Sequence, residues 1–205
     1  MRVLVACEFS GTVRDAFRKL GHDAWSCDIM PTDTNPKYHI TGDVLERLDE
    51  GWDLMIAHPP CTYLTCTGNK WFKPEYKDRF PNREQDRRDA VRFFERLHDS
   101  SVPRIAIENP IGIMSTVLRK PDQIIHPWQF GHEASKSTCL WLKGLPKLTP
   151  TNIVSKGEFV TYKSGKRMTK WYADAASLSP VERARVRNKT FQGIADAMAS
   201  QWGYK

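Results

Sequence analysis

The segment from Asp53 to Cys61, Asp-Leu-Met-Ile-Ala-His-Pro-Pro-Cys, is the most informative part of the chain for its architecture. Its apolar run predicts a buried strand from Trp52 to Ala57. Because two successive prolines keep the backbone extended, the chain then makes a rigid, abrupt turn that fixes the direction of Cys61. A free thiol in this place is either a buried structural cysteine or a reactive group, and the spacing alone does not decide between them.

Short apolar runs alternate with helical patterns on both sides of this strand. Further strands are predicted at Arg2–Cys7, His22–Cys27, Tyr38–Ile40, Arg104–Ile107 and Ser137–Leu142. Helices are predicted at Thr12–Leu20 and Arg83–His98, and a helical C-terminus is predicted to begin at Ser179 and Pro180. Strands that alternate with helices form βαβ units, so we expect an α/β fold built on a parallel sheet.

Four acidic or reactive side chains follow the predicted strands, namely Glu8, Asp28, Cys61 and Glu108. The carboxyl ends of parallel strands lie at one edge of a sheet, where ligands bind. Taken alone, Glu108 is more simply a surface or capping acid. Together with Cys61 it suits nucleophilic attack on a ring that must be activated by protonation, since one group supplies a thiolate and the other a proton.

The composition limits the class of protein. The chain of 205 residues is long enough for one domain with its own core, and its formal net charge is +7. A positive net charge is compatible with a polyanionic partner, although many basic proteins bind no nucleic acid. The five cysteines show no Cys-x-x-Cys spacing, so we expect neither a disulfide framework nor a metal site. No signal peptide or membrane span is predicted, and we expect a cytoplasmic monomer.

The segment from Lys143 to Tyr172 carries seven lysines and arginines against a single acid, Glu158. Within it, Glu158–Tyr162 and Met168–Tyr172 flank Lys-Ser-Gly-Lys, which predicts a β-hairpin. A basic hairpin can contact phosphates. Its candidate nucleic-acid contacts are Lys163, Lys166 and Arg167.

A second candidate for nucleic-acid contact is the segment from Thr62 to Pro81, which mixes aromatic and cationic residues. Lys70 and Trp71 are its candidate contacts, because aromatics among cations suit base stacking and phosphate binding. Aromatic residues that simply pack on the domain are an equal alternative. If the segment does contact DNA, we expect it to close over a base that has left the duplex.

The ordered set of motifs resembles the cytosine-C5 DNA methyltransferase family. Pro59-Pro60-Cys61 matches that family's catalytic Pro-Cys motif, and Glu108-Asn109 matches its Glu-Asn-Val motif, with Pro110 in the third place. The segment from Arg187 to Ala199 is similar to the family's closing Gly-Asn-x-Val motif and helix, with Asn188 at the Asn position. Each motif is short, but the resemblance spans nearly the whole chain in the family's order.

The resemblance implies a Rossmann-like class I methyltransferase sheet with S-adenosylmethionine as cofactor and double-stranded DNA as partner. It implies that Cys61 attacks C6 of a cytosine extruded from the duplex and that Glu108 protonates N3. It also implies that Asp28 holds the cofactor's ribose and that Asp43 contacts its adenine amino group. The residues assigned to cofactor binding are Glu8, Phe9, Ser10, Gly11, Asp28, Ile29, Asp43, Val44, Pro59, Asn188 and Thr190.

Two motifs depart from the family's pattern. The first motif is glycine-rich in the family, whereas Ala6–Thr12 contains one glycine; we expect the methionine part of the cofactor on this loop and on the N-terminus of the following helix. The family's Gln-x-Arg-x-Arg strand aligns with Ser135–Cys139, where we expect Lys136 to replace the arginine that supports the target base. A lysine supplies a point charge without the arginine fork.

The separate target-recognition domain of the family is missing. We expect a catalytic and cofactor-binding core at 1–142, a small basic recognition hairpin at 143–178, and a C-terminal helical segment at 179–205 that completes the core. A hairpin can probe little of a groove, so we expect a short or relaxed target sequence. This size is typical of a small phage-like or prophage-like member, acting in a bacterial or phage-infected cell.

Four other functions remain open. An amino-methyltransferase acting on cytosine N4 or adenine N6 also has a Pro-Pro motif after this strand, but usually with Asp, Asn or Ser where this chain has His58 and an aromatic residue where it has Cys61. The substrate could be RNA or a free nucleotide, since the recognition domain is missing. A non-catalytic nucleic-acid-binding relative and an α/β domain for another nucleotide are the remaining alternatives, although no phosphate-binding P-loop is present.

Overall fold

A seven-stranded sheet forms the centre of the protein, whose computed structural model describes residues 1–204. Its strands are β1 (Arg2–Ala6), β2 (Asp23–Asp28), β3 (His39–Thr41), β4 (Leu54–Ala57), β5 (Ile105–Pro110), β6 (Gln123–Ile125) and β7 (Thr138–Lys143). In space their order is β3-β2-β1-β4-β5-β7-β6. Neighbours from β3 to β5 are parallel, while β7 runs antiparallel to both β5 and β6.

The strand order identifies the fold class. The chain leaves β1 toward β2 and β3 on one side and later returns to place β4 and β5 on the other, so the order reverses between β1 and β4. This reversal defines the switch point of a doubly wound, Rossmann-like sheet. The predicted α/β, Rossmann-like class with flanking helices is confirmed.

Helices cover both faces of the sheet because its inner strands are apolar on both sides. In chain order the helices are α1 (Thr12–Lys19), α2 (Arg83–His98), α3 (Met114–Val117), α4 (Lys170–Asp174), α5 (Pro180–Asn188) and α6 (Gln192–Trp202), of which α1, α2 and α6 contribute most to this packing. On one face, Phe17 of α1 and Met198 of α6 pack on Val3 and Val5. On the other, Phe94 of α2 packs with Leu4 and Trp141. Each such fully buried side chain contributes roughly 1.5–3 kcal/mol.

The strand register brings four residues into one row at the carboxyl edge. Cys27, Ala6, Ala57 and Ile107 are register partners across β2, β1, β4 and β5. The next residue along each strand is therefore Asp28, Cys7, His58 and Glu108, in that spatial order. The row lies at the switch point, where ligands bind in this class of sheet.

A two-stranded hairpin lies outside the main sheet, as predicted. It consists of β8 (Phe159–Thr161) and β9 (Arg167–Thr169), which pair only with each other among the described strands. The predicted strand Met168–Tyr172 is wrong beyond Thr169, where α4 begins. Local propensity favours a strand at Trp171 and Tyr172, but Trp171 packs edge-on against Phe191, 5.6 Å between ring centroids, and tertiary packing overrides that propensity.

The other predicted elements are confirmed, with ends that differ by up to three residues. Three further features differ: β6 and α3 are not predicted from the sequence, and the helical C-terminus is divided into α5 and α6 because Lys189 and Phe191 are extended. The division into 1–142, 143–178 and 179–205 stays a prediction, and Lys205 lies outside the described residues. None of the helices within residues 1–204 is both long and apolar enough to cross a membrane.

Candidate active site

A cavity of about 810 Å³ opens at the carboxyl edge of the sheet. Small-molecule sites have volumes of roughly 300–1,000 Å³, so this cavity lies in the upper part of that range. Ten of the eleven residues predicted to bind the cofactor line it: Glu8, Phe9, Ser10, Asp28, Ile29, Asp43, Val44, Pro59, Asn188 and Thr190. Cys61, Glu108 and Lys136 line it as well. The roles of these residues remain predictions, but one cavity brings them together.

The cavity has two parts with different side chains. We call Cys7, Glu8, Asp28 and Asp43 the acidic half, and His58, Cys61, Glu108 and Lys136 the reacting half. The acidic half is formed by the loops after β1, β2 and β3. The reacting half is formed by the turn after β4, by β5 and by the segment before β7.

The centre of the reacting half is a close pair between His58 and Glu108. The Nδ1–H of His58 donates a hydrogen bond of 2.6 Å to Oε2 of Glu108, and the two side chains are only 11% and 14% exposed. Burial alone would raise the pKa of Glu108, but Lys136 and the hydrogen-bonded His58 lower it to about 2. At neutral pH Glu108 is therefore a carboxylate in this pair.

Cys61 lies partly exposed at the cavity wall, in the turn after β4. Burial and the negative charge of Glu108 raise the pKa of its thiol, while the cation of Lys136 lowers it. The thiol form therefore dominates at neutral pH, and Lys136 is the neighbouring group that favours the reactive thiolate.

Two contacts fix the turn after β4 against the end of β5. The side-chain amide of Asn109, which is 2% exposed, donates a hydrogen bond of 2.9 Å to the carbonyl of Pro59. The amide of Ile113 donates to the carbonyl of Leu64 at 2.9 Å. Gly112 lies so close to Leu64 that a Cβ at this position would collide with the Leu64 backbone. These contacts set the direction in which Cys61 points.

The acidic half fits the adenosine part of a nucleoside cofactor. Asp28 is the last residue of β2 and Asp43 lies just after β3, and the apolar side chain of Ile29 is 79% exposed at the same wall. Carboxylates accept hydrogen bonds from ribose hydroxyls and from an exocyclic amine, and an exposed apolar side chain can cover a ring face. Burial raises the pKa of Asp28, which is partly offset by the amide of Met30.

Glu8 lies at the cavity but does not leave the N-terminus of α1 free. It is 4% exposed, and its carboxylate accepts hydrogen bonds from the amides of Val13 at 2.7 Å and Arg14 at 3.1 Å. Two of the amides at the helix N-terminus are therefore already satisfied by Glu8, and the placement of the methionine part of the cofactor on this loop and helix N-terminus stays a prediction.

Gly11 is the predicted cofactor residue that does not line the cavity. It precedes α1 with φ 69°, a conformation that favours glycine. A Cβ on Gly11 would collide with the side chains of Thr34 and Arg14. Its position is therefore explained by local packing.

The residues predicted to contact nucleic acid lie in three places: the reacting half of the cavity, the hairpin, and a cluster before α2 that is described below. Lys136 lies in the reacting half, where its Nζ donates a hydrogen bond of 3.1 Å to the carbonyl of Arg187. Lys163, Lys166 and Arg167 are exposed on the hairpin. These three hairpin residues do not line the cavity.

Lys70 and Trp71 belong to an aromatic and cationic cluster before α2. The Trp71 ring packs edge-on against Tyr76 and Phe80, with centroids 4.9 and 5.4 Å apart, and Nζ of Lys70 lies 4.3 Å from its centre. Arg83, which is 9% exposed, lies over Phe72 and Phe80. The aromatic rings therefore pack on the domain, and neither Lys70 nor Trp71 lines the cavity.

The sequence interpretation missed the roles of His58 and Asn109. His58 was considered only as a residue that disfavours an amino-methyltransferase, and Asn109 only as part of a motif. The signal was present for His58, since it follows β4 directly, as Glu108 follows the part of β5 that pairs with β4. Within residues 1–204 no group of three or more His, Cys, Asp and Glu side chains is arranged to hold a metal ion.

Comparisons with known proteins give likenesses of fold. No family model matches this chain, and no curated protein matches it. A candidate DNA modification methyltransferase encoded within an E. coli prophage has a TM-score of 0.46 and 14% identity, covering 88% of this chain and 55% of that one. A methyltransferase of Entamoeba histolytica has a TM-score of 0.47 and 13% identity, covering 75% of this chain and 57% of that one. The chain thus spans little more than half the length of either structure.

Proposed function

We propose that this protein transfers a methyl group from S-adenosylmethionine to C5 of cytosine in double-stranded DNA, with Cys61 as the nucleophile. The observation that carries the proposal is that a thiol, Cys61, and a buried carboxylate, Glu108, line the same cavity. Such a pair suits attack on a heterocycle that is activated at a ring nitrogen. The acidic half of the same cavity offers room and carboxylates for a nucleoside cofactor.

The proposed cofactor is assigned to the acidic half. Asp28 and Asp43 would accept hydrogen bonds from the ribose and the adenine amine, and Ile29 would cover the adenine ring. With the α1 amides engaged by Glu8, the amino-acid part of the cofactor is left to the other polar groups of the wall, such as Ser10 and Thr190. When bound, S-adenosylmethionine supplies an electrophilic methyl group for C5.

The reacting half would act on a cytosine that has left the duplex, since C6 is inaccessible inside the stack. The thiol proton of Cys61 leaves to water, Sγ attacks C6 as a thiolate, the S–C6 bond forms, and the C5=C6 electron pair moves toward C4 and N3. Glu108 delivers a proton to N3, so that C5 becomes nucleophilic. After C5 is methylated, its proton leaves to water, C5=C6 forms again, and the S–C6 bond breaks to release Cys61.

The proposed DNA contacts are modest in extent. The exposed hairpin cations Lys163, Lys166 and Arg167 would bind phosphates, which contribute affinity without sequence information. We therefore propose a short or relaxed target sequence. Bisulfite sequencing of a methylated plasmid tests it: modified cytosines should share at most a very short context, and a strict site of about four or more base pairs would contradict it.

The chemistry is tested by mass spectrometry of nucleosides from plasmid DNA incubated with protein and S-adenosylmethionine. The wild type should produce 5-methylcytosine, and Cys61→Ala should produce none. Cys66→Ala is the matched control, because Cys66 is exposed in the same loop but does not line the cavity. N4-methylcytosine or N6-methyladenine would instead indicate an amino-methyltransferase. Cofactor binding with no methylated product, from DNA or RNA, would indicate a non-catalytic relative.

A further inference from the structure

His58 occupies a position that the proposed reaction leaves without a role. It is the first residue after β4, and the register between β4 and β5 places it beside Glu108. Its Nδ1 lies 2.6 Å from Oε2 of Glu108, and its side chain is 11% exposed. The contact joins residues 50 positions apart in the chain, so it depends on the assembled sheet.

Charged groups face His58 from four elements. Glu108 on β5, Glu8 after β1 and Asp28 at the end of β2 are acids, and Lys136 before β7 is the one opposing cation among those that act on it. Burial would lower the pKa of His58, but the hydrogen bond to Glu108 and the charges of Glu108 and Glu8 raise it. Its Nε2 is buried and has no hydrogen-bond partner within residues 1–204. The hydrogen bond to Glu108 and the acidic neighbours thus favour a protonated imidazole, while burial, Lys136 and the unpartnered Nε2 oppose it.

Glu108 by itself cannot supply the proton that the proposed reaction requires. Lys136 and His58 lower the pKa of Glu108 to about 2 despite its burial, so the group is a carboxylate at neutral pH. A carboxylate accepts hydrogen bonds and has no proton to give. The nearest proton is the one on Nδ1 of His58.

We infer that His58 is a positioning residue that holds Glu108 in place and stores the proton that Glu108 delivers to the target ring. This inference rests on the proposed function. As Cys61 attacks C6, the Nδ1–H bond of His58 breaks and an O–H bond forms on the Glu108 carboxyl group. That O–H bond then breaks as N3–H forms, which leaves neutral imidazole beside carboxylate. When N3 loses its proton during release of Cys61, the proton returns through Glu108 to His58.

The first test measures the pair in the protein alone, by NMR titration of the histidine rings. His58→Asn identifies the His58 signal, and Glu108→Gln removes its partner. The wild-type His58 should titrate above 6.5, the ordinary value, and its pKa should fall in Glu108→Gln. A His58 that titrates at or below 6.5, or that titrates identically in Glu108→Gln, overturns the inference whatever reaction the protein catalyses.

The second test measures single-turnover methylation against pH. Asparagine at position 58 keeps an N–H donor near Glu108 but cannot store a proton. The Cys61 thiolate fraction rises with pH in both proteins, so the two rates are compared as a ratio. The wild-type rate divided by the His58→Asn rate should rise about tenfold per pH unit up to the pKa of His58 and stay constant above it, since only in the variant must the proton come from solvent. A His58→Asn protein with the wild-type pH profile overturns proton storage, even if its rate is lower.

His98→Asn is the matched control for the second test. Nδ1 of His98 also lies 2.6 Å from a carboxylate, that of Asp99, but this pair is at the end of α2 and does not line the cavity. Its pH profile should match the wild type. A wild type that makes no 5-methylcytosine overturns the proposed function and the proton-storage role together. An active wild type with a failed His58→Asn test overturns the role alone.

Discussion

Cys7 and Cys61 face the same cavity from the ends of neighbouring parallel strands, one in the acidic half and one in the reacting half. Burial and then the charges of Asp28 and Asp43 raise the pKa of Cys7 far above its ordinary value, together with the neighbouring Cys27. Burial and Glu108 also raise the pKa of Cys61, but Lys136 opposes them. Two thiols at neighbouring strand ends therefore differ in their charged neighbours, because only Cys61 has a cation that lowers its pKa and favours its thiolate.

The backbone differs at the two cysteines as well. Cys7 has φ 58°, the only positive φ of a non-glycine residue within residues 1–204, and its amide donates to the carbonyl of Cys27. Cys61 follows two prolines and is fixed through Asn109 and Pro59. The first thiol belongs to the acidic half, whereas the second lines the same cavity as Glu108 and is affected by its charge. We therefore expect the charged neighbours of each cysteine to decide its reactivity. Variants of residues in the acidic half and in the reacting half test this difference between Cys7 and Cys61.

The largest effect should come from removal of the Cys61 thiol, with removal of the Cys7 thiol as the comparison. Cys61→Ala should abolish methylation because Cys61 is the one thiol of the reacting half. Cys7→Ala should keep a measurable rate, because the Cys7 thiol stays protonated at any working pH. Methyl transfer from radiolabelled cofactor to DNA measures both. An equal loss of activity in the two variants would contradict the proposal that only the reacting half supplies the nucleophile.

The next effect concerns the acid of the reacting half. Glu108→Gln keeps the size of the side chain but cannot pass a proton to N3, so the rate should fall by roughly 10²–10⁴-fold. Cofactor affinity should stay close to the wild type, because Glu108 is outside the acidic half. Single-turnover rates and isothermal titration with cofactor separate the two quantities. A Glu108→Gln protein with full activity would show that ring protonation does not depend on this residue.

The pair His58–Glu108 should also appear in the pH dependence of stability. The pKa of Glu108 is lowered from 4.5 to about 2, so its stabilisation is present above pH 4.5 and is lost as pH falls toward 2. The pKa of His58 is raised, so its stabilisation is present below pH 6.5 and is lost as pH rises through the folded value. The free energy of unfolding of the wild type should exceed that of Glu108→Gln by the largest amount between pH 4.5 and 6.5. The difference there should reach up to about 3 kcal/mol.

Urea unfolding of both proteins across this pH range measures the difference. A constant difference at every pH would mean that Glu108 stabilises the fold through packing and not through its charge.

A smaller effect is expected in the acidic half. Asp28→Asn removes the charge that would accept the ribose hydroxyls, and removing hydrogen bonds to a charged group costs about 1.5–3 kcal/mol, or roughly 10- to 100-fold in affinity. The Kd for cofactor should rise, while the single-turnover rate at saturating cofactor should change little. If the rate falls and the Kd does not, the assignment of the two halves is reversed.

The weakest change is expected from the hairpin. Replacing Lys163, Lys166 and Arg167 together by glutamine should weaken DNA binding to all sequences alike and lower the slope of log affinity against log salt by about one for each phosphate that is no longer bound. The rate at saturating DNA should stay the same. Fluorescence anisotropy at several salt concentrations measures the slope, and an unchanged slope would exclude the hairpin from the DNA interface.

Local sequence patterns predicted the parts of the fold that depend on local periodicity. The apolar runs of β1, β4 and β5 and the helical spacing of Ala90, Phe94 and Leu97 in α2 are complete within short windows, so they were found. Strand β6 has three residues at the sheet edge and only one buried side chain, Ile125, which is too short a pattern to detect.

The site was predictable in its residues but not in its contacts. Strand ends placed Cys61 and Glu108 on one edge because the geometry of a parallel sheet is general. The contact of Glu108 with His58 and the capping of α1 by Glu8 depend on register and side-chain direction, which no local pattern encodes. The position of Trp171 could not be predicted for the same reason, since it depends on packing against Phe191 from another segment.

A duplex that contains 5-fluorocytosine tests whether Cys61 forms a covalent bond to the target ring. Fluorine at C5 leaves no proton to remove, so the adduct cannot be released. The wild type with S-adenosylmethionine should form a denaturation-resistant complex, and peptide mass spectrometry should locate the nucleotide on Cys61. A complex that persists in Cys61→Ala, or a nucleotide found on Cys66 or Cys7, would contradict the role of Cys61 as the nucleophile.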